Sequence, residues 1–215
     1  MKKLWIFAMI LICGIVLVGC SSKKDFRGCL SEVTKVYYQG VAGQVEGSIS
    51  IGQREEPYKI DGKSQKLEDF SLFILDFNQQ MEDETIDVKL SVNGVESDFQ
   101  LFLNPVNHYY MNDLGYSLGQ NDEVILTYQD IVVNFYNVSD SFNIDWSEAL
   151  DIAEENLNLQ SLYKDGDFKG ECYLKILTEQ NDNFQDLFWY FSAVSENGDV
   201  MDIVISTDAG EIFVS

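Results

Sequence analysis

Two runs of alternating apolar and polar residues flank the dipeptide Asn93-Gly94, and they constrain the fold of this chain more than any other feature. An Asn-Gly pair between two such runs is typical of a two-residue β-hairpin, because both central residues of a type I′ turn need positive φ. The turn also sets the register of the strands, so that the apolar residues share one face. The predicted cross-strand pairs are Val92 with Val95, Val88 with Phe99, Ile86 with Leu101, and Lys89 with Asp98.

Short strands of the same kind follow one another through the first part of the chain. Strand signals, separated by Gly, Asn, Asp and Pro, occupy residues 47–52, 70–77, 109–111, 123–128 and 131–136. Several short strands with closely spaced turns predict a β-sandwich over residues 29–139. Its outline resembles the immunoglobulin-like modules of bacterial surface proteins, although the sequence lacks the Cys, Trp, Cys spacing of a true immunoglobulin domain. Residues 30–38 have helical spacing of apolar side chains, so a short helix is an alternative there.

The hydrophobic period changes from two residues to about 3.6 after the polar stretch 138–143. The apolar residues that fall on one face of the predicted helix are Trp146, Ala149, Leu150, Ala153 and Leu157. Asp145 followed by Glu148 is typical of a capping box, which places the start of the helix at Asp145. Strands are predicted after it at residues 171–178, 186–195, 200–206 and 211–214. The dipeptide Asn197-Gly198 predicts a hairpin between the second and third of them.

A helix followed by antiparallel strands resembles a PepSY domain, and short motifs carry this resemblance. They are Glu148-Ala149-Leu150 with Ile152-Ala153, Trp189-Tyr190, and Gly210-Glu211-Ile212. The chain departs from the family at Ser206, where an Asp tends to stand. The resemblance covers residues 140–215 and implies a helix packed on a small antiparallel sheet, with a role in restraining peptidases; an unrelated α+β domain is the alternative. The expected fold class is therefore two domains, an all-β immunoglobulin-like sandwich followed by a small α+β domain.

The N-terminal residues indicate export. Lys2 and Lys3 precede residues 4–20, which carry no charge. The closing residues Leu17-Val18-Gly19-Cys20 resemble the lipobox of bacterial lipoproteins, in which the cysteine is lipidated after cleavage just before it. The resemblance implies a signal peptide at 1–19, a lipidated Cys20 with a polar tether at 20–28, and an extracytoplasmic protein that is lipid-anchored to the bacterial cell membrane. A permanent membrane anchor with an incidental cysteine is the alternative.

Cys29 and Cys172 are the cysteines that remain beyond the predicted lipidation site. An exported location permits a disulfide between them. Cys172 also alternates with Leu174 and Ile176, which is typical of a buried free thiol on one face of a strand. Both interpretations stay open at this point.

Charge excludes one class of partner. The chain has 14 Lys and Arg against 36 Asp and Glu, for a formal net charge of −22. Binding of nucleic acid needs clustered basic residues that neutralise phosphates. The composition therefore predicts no nucleic-acid partner.

The sequence favours binding over catalysis. It contains no G-x-S-x-G nucleophile motif and no phosphate-binding loop, and its single histidine, His108, cannot form a zinc pair. The adjacent carboxylates Glu82-Asp83-Glu84 fit a solvated turn better than a catalytic pair. No enzyme activity, cofactor or catalytic residue is therefore predicted. Calcium is a weaker possibility at Asp165, Asp167 and Glu171, where the spacing departs from an EF-hand and a plain turn is favoured.

The aromatic run Phe188 to Phe191 is the candidate binding strand, because its rings alternate between both faces. Either both faces are covered or one face contacts a partner. The candidate protein-binding residues are Trp189, Tyr190 and Phe191, and the edge strand at residues 211–214 is expected to contact the same partner. The expected function is a membrane-anchored, non-catalytic binding or regulatory module that restrains an envelope protein or peptidase. The alternative is a structural or adhesive surface protein whose β-sandwich binds a cell-wall or host ligand.

Overall fold

Eight antiparallel strands in the first part of the chain close into a barrel. The structure, a computed structural model, describes residues 25–63, 65–78, 81, 83–181 and 184–213. The barrel strands are β1 (Leu30–Ala42), β2 (Val45–Glu55), β3 (Leu67–Asp76), β4 (Thr85–Val92), β5 (Val95–Leu103), β6 (Tyr110–Asp113), β7 (Val124–Tyr128) and β8 (Ile131–Asn137). They run in the order β1-β2-β3-β6-β5-β4-β7-β8, and β8 returns to pair with β1.

Inward-facing side chains fill the barrel. The buried set includes Tyr38, Ile49, Phe73, Leu75, Leu101 and Leu126. A barrel of about eight strands is just wide enough for side chains to fill its interior. The hydroxyl of Tyr38 donates a hydrogen bond to the carbonyl of Gln120 at 2.7 Å, which satisfies the polar end of a buried ring. The barrel interior is therefore a packed core that supports the rest of the molecule.

The predicted β4–β5 hairpin is confirmed in its turn and in its register. Asn93 and Gly94 have φ values of 52° and 78°, as a type I′ turn requires. The cross-strand pairs are the predicted ones: Val92 with Val95, Val88 with Phe99, Ile86 with Leu101, and Lys89 with Asp98. The ammonium of Lys89 donates to Asp98 at 2.8 Å on the solvent side.

The predicted immunoglobulin-like sandwich is wrong. A sandwich consists of two separate sheets, whereas here Tyr38 pairs with Asn137 and Gln39 pairs with Tyr136, so that a single sheet closes on itself. Alternating side chains bury one face of a strand in both architectures, and the sequence pattern therefore could not separate them. The alternative helix over residues 30–38 is also wrong, because these residues lie in β1.

The second part of the chain adds a helix and further strands. A 3-10 turn at Ser139–Ser141 precedes helix α1 (Trp146–Asn156), and another at Leu159–Leu162 follows it. The predicted capping box is confirmed, since the Asp145 carboxylate accepts hydrogen bonds from the amides of Ser147 and Glu148. The strands are β9 (Tyr163–Lys164), β10 (Asp167–Phe168), β11 (Gly170–Asn181), β12 (Phe184–Ser195), β13 (Val200–Ser206) and β14 (Ile212–Phe213). The predicted β12–β13 hairpin at Asn197-Gly198 is confirmed.

The expected α+β domain does not form a separate sheet. Strand β11 pairs in parallel with β1, with Leu30 opposite Cys172 and Val33 opposite Leu174. The barrel and the later strands therefore share one sheet of twelve strands in the described residues, ordered β14-β13-β12-β11-β1 and then around the barrel. Phe26, from a 3-10 turn at Phe26–Cys29, packs in the same core as α1. The predicted fold class is wrong for this reason, because the contact between β1 and β11 joins residues about 140 positions apart, beyond the reach of local patterns.

Candidate functional site

Strands β11 to β14 form an antiparallel sheet whose inner face packs against α1. Trp189 and Phe191 of β12 lie on this inner face and are fully buried. The indole Nε1 of Trp189 donates a hydrogen bond to the carbonyl of Ile144 at 2.8 Å, and the ring of Phe142 meets the indole edge-on. Two of the three candidate binding residues therefore lie in the core, and a partner could contact them only if the helix left the sheet.

The outer face of the same sheet consists of Leu177, Phe188, Tyr190, Val204 and Phe213. Cross-strand pairing brings them together, with Leu177 opposite Phe188, Tyr190 opposite Val204, and Val204 opposite Phe213. Leu177 is 42% exposed and Phe213 is 49% exposed. The rings of Phe188 and Phe213 meet edge to face at 5.7 Å, and a cavity of about 580 Å³ opens beside them. This end of the outer face, the open end, is an accessible apolar surface.

Carboxylates surround the open end. An adjoining cavity of about 470 Å³ is lined by Asp186, Asp208 and Glu211 together with Phe188 and Phe213. All three carboxylate residues are exposed. The Asn143 side-chain amide donates to Asp208 at 2.7 Å. The open end is therefore an apolar surface in the negative field of a chain with a net charge of −22.

A loop between β2 and β3 covers the other end of the outer face. We call this loop, residues 56–63, 65 and 66, the strap. The ring of Tyr58 packs edge-on against Tyr173 of β11 at 6.1 Å, and the hydroxyl of Tyr173 donates to the carbonyl of Lys59 at 3.1 Å. The ammonium of Lys175 donates to the Tyr58 hydroxyl at 2.8 Å. The strap therefore covers Tyr173 and Lys175, and Leu177 is the next residue of β11 on the same face.

Gly62 lets the strap lie close to the sheet. Its φ is +76°, and a Cβ there would lie 2.7 Å from the carbonyl oxygen of Ser195 and the Cα of Glu196. A side chain at this position would push the strap away from the end of β12.

The groups on the outer face suit binding better than bond-making. The hydroxyl of Tyr190 donates to the Asp202 carboxylate at 3.1 Å. Burial raises the pKa of Tyr190, and the charge of Asp202 adds to this effect, so the phenol stays neutral near pH 7. Apolar rings, a neutral phenol and surrounding carboxylates provide contact area and charge selection for a ligand.

The other predicted positions lie apart from this face. Of the predicted calcium residues, Asp165 is exposed, Asp167 pairs with Lys169 at 3.5 Å, and Glu171 is fully buried. The described part of the chain holds no group of three or more His, Cys, Asp or Glu residues arranged for a metal ion, so calcium stays a prediction. The cysteines Cys29 and Cys172 are both buried and free. Of the two interpretations, the free thiol is therefore confirmed and the disulfide is wrong.

Sequence reasoning found part of the outer face. It selected the aromatic run of β12 and the edge strand at residues 211–214, which contains Phe213, and it did not consider Leu177 or Val204. A usable signal was present, because the predicted inward set Cys172, Leu174 and Ile176 leaves Leu177 on the opposite side of β11. The strap carried no comparable signal, since its contacts depend on tertiary structure.

Comparison with known proteins returns no relative: no family model, no curated protein and no solved structure matches the chain. The resemblances to bacterial lipoproteins, PepSY domains and immunoglobulin-like modules therefore find no support. The PepSY and immunoglobulin-like resemblances also conflict with the continuous sheet and the closed barrel.

The N-terminal predictions lie outside the described residues. Residues 1–24, with the predicted lipidation site Cys20, are not among those described, so lipidation stays a prediction. Within the described ranges, no helix is long and apolar enough to cross a membrane.

Proposed function

We propose that this protein is a non-catalytic binding module that holds a basic, partly apolar segment of another protein on its outer face. The open end of that face carries the proposal, because Leu177 and Phe213 stay about half exposed beside a cavity of about 580 Å³. Exposed apolar side chains that line one cavity are typical of an interaction surface. The restraint of a peptidase depended on the PepSY resemblance, which is wrong, so the partner is specified by its chemistry.

Charge complementarity supports a basic partner. The carboxylates of Asp186, Asp208 and Glu211 border the cavities at the open end. Lys or Arg residues flanking an apolar residue of the partner would lie near these carboxylates, which increases association rate and specificity. A net charge of −22 disfavours a second copy of this chain, and it disfavours anionic lipid headgroups as well.

The proposal also places the module outside the cytoplasm, at the surface of a bacterial membrane. Its support is the N-terminal sequence alone, in which Lys2 and Lys3 precede the uncharged residues 4–20. A module held near a membrane would meet exported or membrane-bound partners.

Calorimetric titration with three synthetic peptides tests the binding proposal. The first peptide alternates leucine and lysine, the second alternates leucine and glutamate, and the third alternates serine and lysine. We expect measurable binding of the leucine-lysine peptide alone, with affinity that weakens as salt is added. Equal binding of the serine-lysine peptide would mean that the chain attracts cations without using an apolar face, and it would refute the proposal.

A further inference from the structure

Strand β11 has an open edge beyond the point where β1 leaves it. The parallel pairing of the two strands ends with Val33 opposite Leu174, and β1 then pairs with β8 from Tyr38 onward. The register of β1 against β2 shifts between Thr34 and Val36, as at a β-bulge, and a bulge bends its strand. Within the described part of the chain, no strand pairs with this side of β11 after Leu174.

Alternate residues of β11 direct their backbone groups to this open edge. The carbonyl of Leu187 in β12 accepts a hydrogen bond at 3.3 Å from the amide one position past β13, so the backbone groups of Leu187 face β13. Successive residues of a strand face alternate neighbours, and Phe188 therefore faces β11, where its partner is Leu177. Because Leu177 faces β12 in return, the N–H and C=O groups of Ile176 and Thr178 point to the open edge.

Two cavities meet at this edge. A cavity of about 400 Å³, which we call the cleft, lies between β11 and the outer wall of the barrel, and it is lined by Ile176, Leu177 and Thr178 together with residues of β1, β2 and β3. Leu177 and Thr178 also line the cavity of about 580 Å³ at the open end of the outer face. Both residues are exposed. An extended segment along this edge would therefore have room for its backbone and its side chains.

The barrel side of the cleft is acidic. Glu46 of β2 and Asp76 of β3 line it and lie directly opposite each other in the pairing of these strands. Like charges at directly opposed positions destabilise a sheet. Asn78 donates to Asp76 at 2.9 Å and to Glu46 at 3.4 Å, in both cases from a neutral amide. A Lys or Arg residue of a segment in the cleft would relieve the repulsion between the two carboxylates.

We propose that the basic, partly apolar segment binds as an added β-strand along the open edge of β11, with backbone hydrogen bonds to Ile176 and Thr178. This inference rests on the proposed function and specifies how the segment is held. A segment that joins a sheet edge gains affinity from main-chain hydrogen bonds and specificity from its alternate side chains. Its apolar side chain opposite Leu177 lies on the outer face, because directly opposed residues of paired strands share a face.

The other edge of the sheet is less suited to an added strand. There β14 already pairs with β13 at Val204 and Ile205. The amide of Ser206 donates to the carbonyl of Glu211, so alternate residues back to Val200 direct their backbone groups to this edge. Val200 lines neither the cleft nor the cavity at the open end. The edge of β13 therefore serves as the control for the edge of β11.

Two N-methylated forms of the leucine-lysine peptide test the added strand on the unaltered protein. One form is methylated at the backbone nitrogen of every leucine, and the other at that of every lysine. An added strand directs its N–H groups to β11 at every second residue, so one form loses all of these donors and the other keeps them. We expect calorimetry to give a dissociation constant raised at least about tenfold for one form and little changed for the other. With leucines opposite Leu177, loss in the lysine form indicates an antiparallel segment, and loss in the leucine form a parallel one.

Two proline variants test the position of the strand. Thr178→Pro removes a backbone N–H at the open edge and leaves the hydrogen bonds between β11 and β12 in place. Val200→Pro makes the same change at the edge of β13. We expect Thr178→Pro to raise the dissociation constant of the leucine-lysine peptide at least about tenfold and Val200→Pro to leave it unchanged. Circular dichroism checks that both variants fold, and if Thr178→Pro does not, the N-methylated peptides still decide the question.

The outcomes separate this inference from the proposed function. If the unmethylated peptide binds and the two methylated forms bind equally to each other, the added strand is overturned and the proposed function stands. Loss of binding in Val200→Pro alone would place the strand at the other edge and would also overturn the inference. Failure of the unmethylated peptide to bind would refute the proposed function, and the inference with it.

Discussion

Replacing Trp189 by alanine tests whether this residue of β12 stabilises the core or belongs to a binding surface. The indole is fully buried, and its Nε1 donates to the carbonyl of Ile144 at 2.8 Å. Truncating a fully buried tryptophan costs about 3–5 kcal/mol, and a carbonyl left without its donor adds about 1–3 kcal/mol. We therefore expect Trp189→Ala to lower the free energy of unfolding by at least about 4 kcal/mol, or roughly 8–16 °C in Tm for a chain of this size.

Thermal unfolding followed by circular dichroism measures this change, with Phe213→Ala as the matched comparison. Phe213 is 49% exposed on a two-residue edge strand, so its truncation should cost only about 1 kcal/mol. If Trp189→Ala lowers Tm by less than Phe213→Ala does, the indole does not support the core, and the assignment of inner and outer faces is wrong.

Two further predictions concern the core and its surroundings. Arg54 pairs with Asp113, and its guanidinium stacks over the Phe70 ring at 5.0 Å. Arg54→Ala should therefore lower the free energy of unfolding, measured in urea, by about 1–2 kcal/mol, a value between those of exposed and buried ion pairs. Lys89→Ala, which breaks a fully solvated pair, should leave the urea midpoint unchanged, and equal effects of the two variants would contradict this account. The thiols of Cys29 and Cys172 are buried, and burial raises the pKa of Cys172, so a thiol reagent should modify them only after unfolding. Rapid modification of the folded protein would place these thiols at the surface.

Local signals in the sequence predicted local structure well. Asn93-Gly94 set both the turn and the register of its hairpin, because a type I′ turn restricts two residues that are adjacent in sequence. Asp145 marked the start of α1 in the same way, through hydrogen bonds to amides within three positions.

The architecture was predicted wrongly because it depends on strand pairing between residues that are far apart in the sequence. Closure of the barrel depends on Tyr38 meeting Asn137, and the continuous sheet depends on Leu30 meeting Cys172. Neither contact leaves a trace in hydrophobic periodicity, because the strands that it joins would also bury one face in a sandwich. The sequence therefore predicted the individual strands better than the way in which those strands pair.

The candidate site was predicted only in part. The aromatic run drew attention to β12, but aromatic residues occupy both of its faces, and a single strand does not reveal which face a helix covers. Contact with α1 places Trp189 inside, whereas Tyr190 lies on the outer face.

Binding of the leucine-lysine peptide to two phenylalanine variants tests the central claim most directly. Phe213 on the outer face is 49% exposed, and Phe102 on the barrel is 46% exposed, so they are closely matched. Covering the exposed half of Phe213 contributes about 1 kcal/mol, and Phe213→Ser should therefore raise the dissociation constant about fivefold. Phe102→Ser should leave it unchanged. Equal weakening by both variants, or by neither, would contradict binding at the outer face.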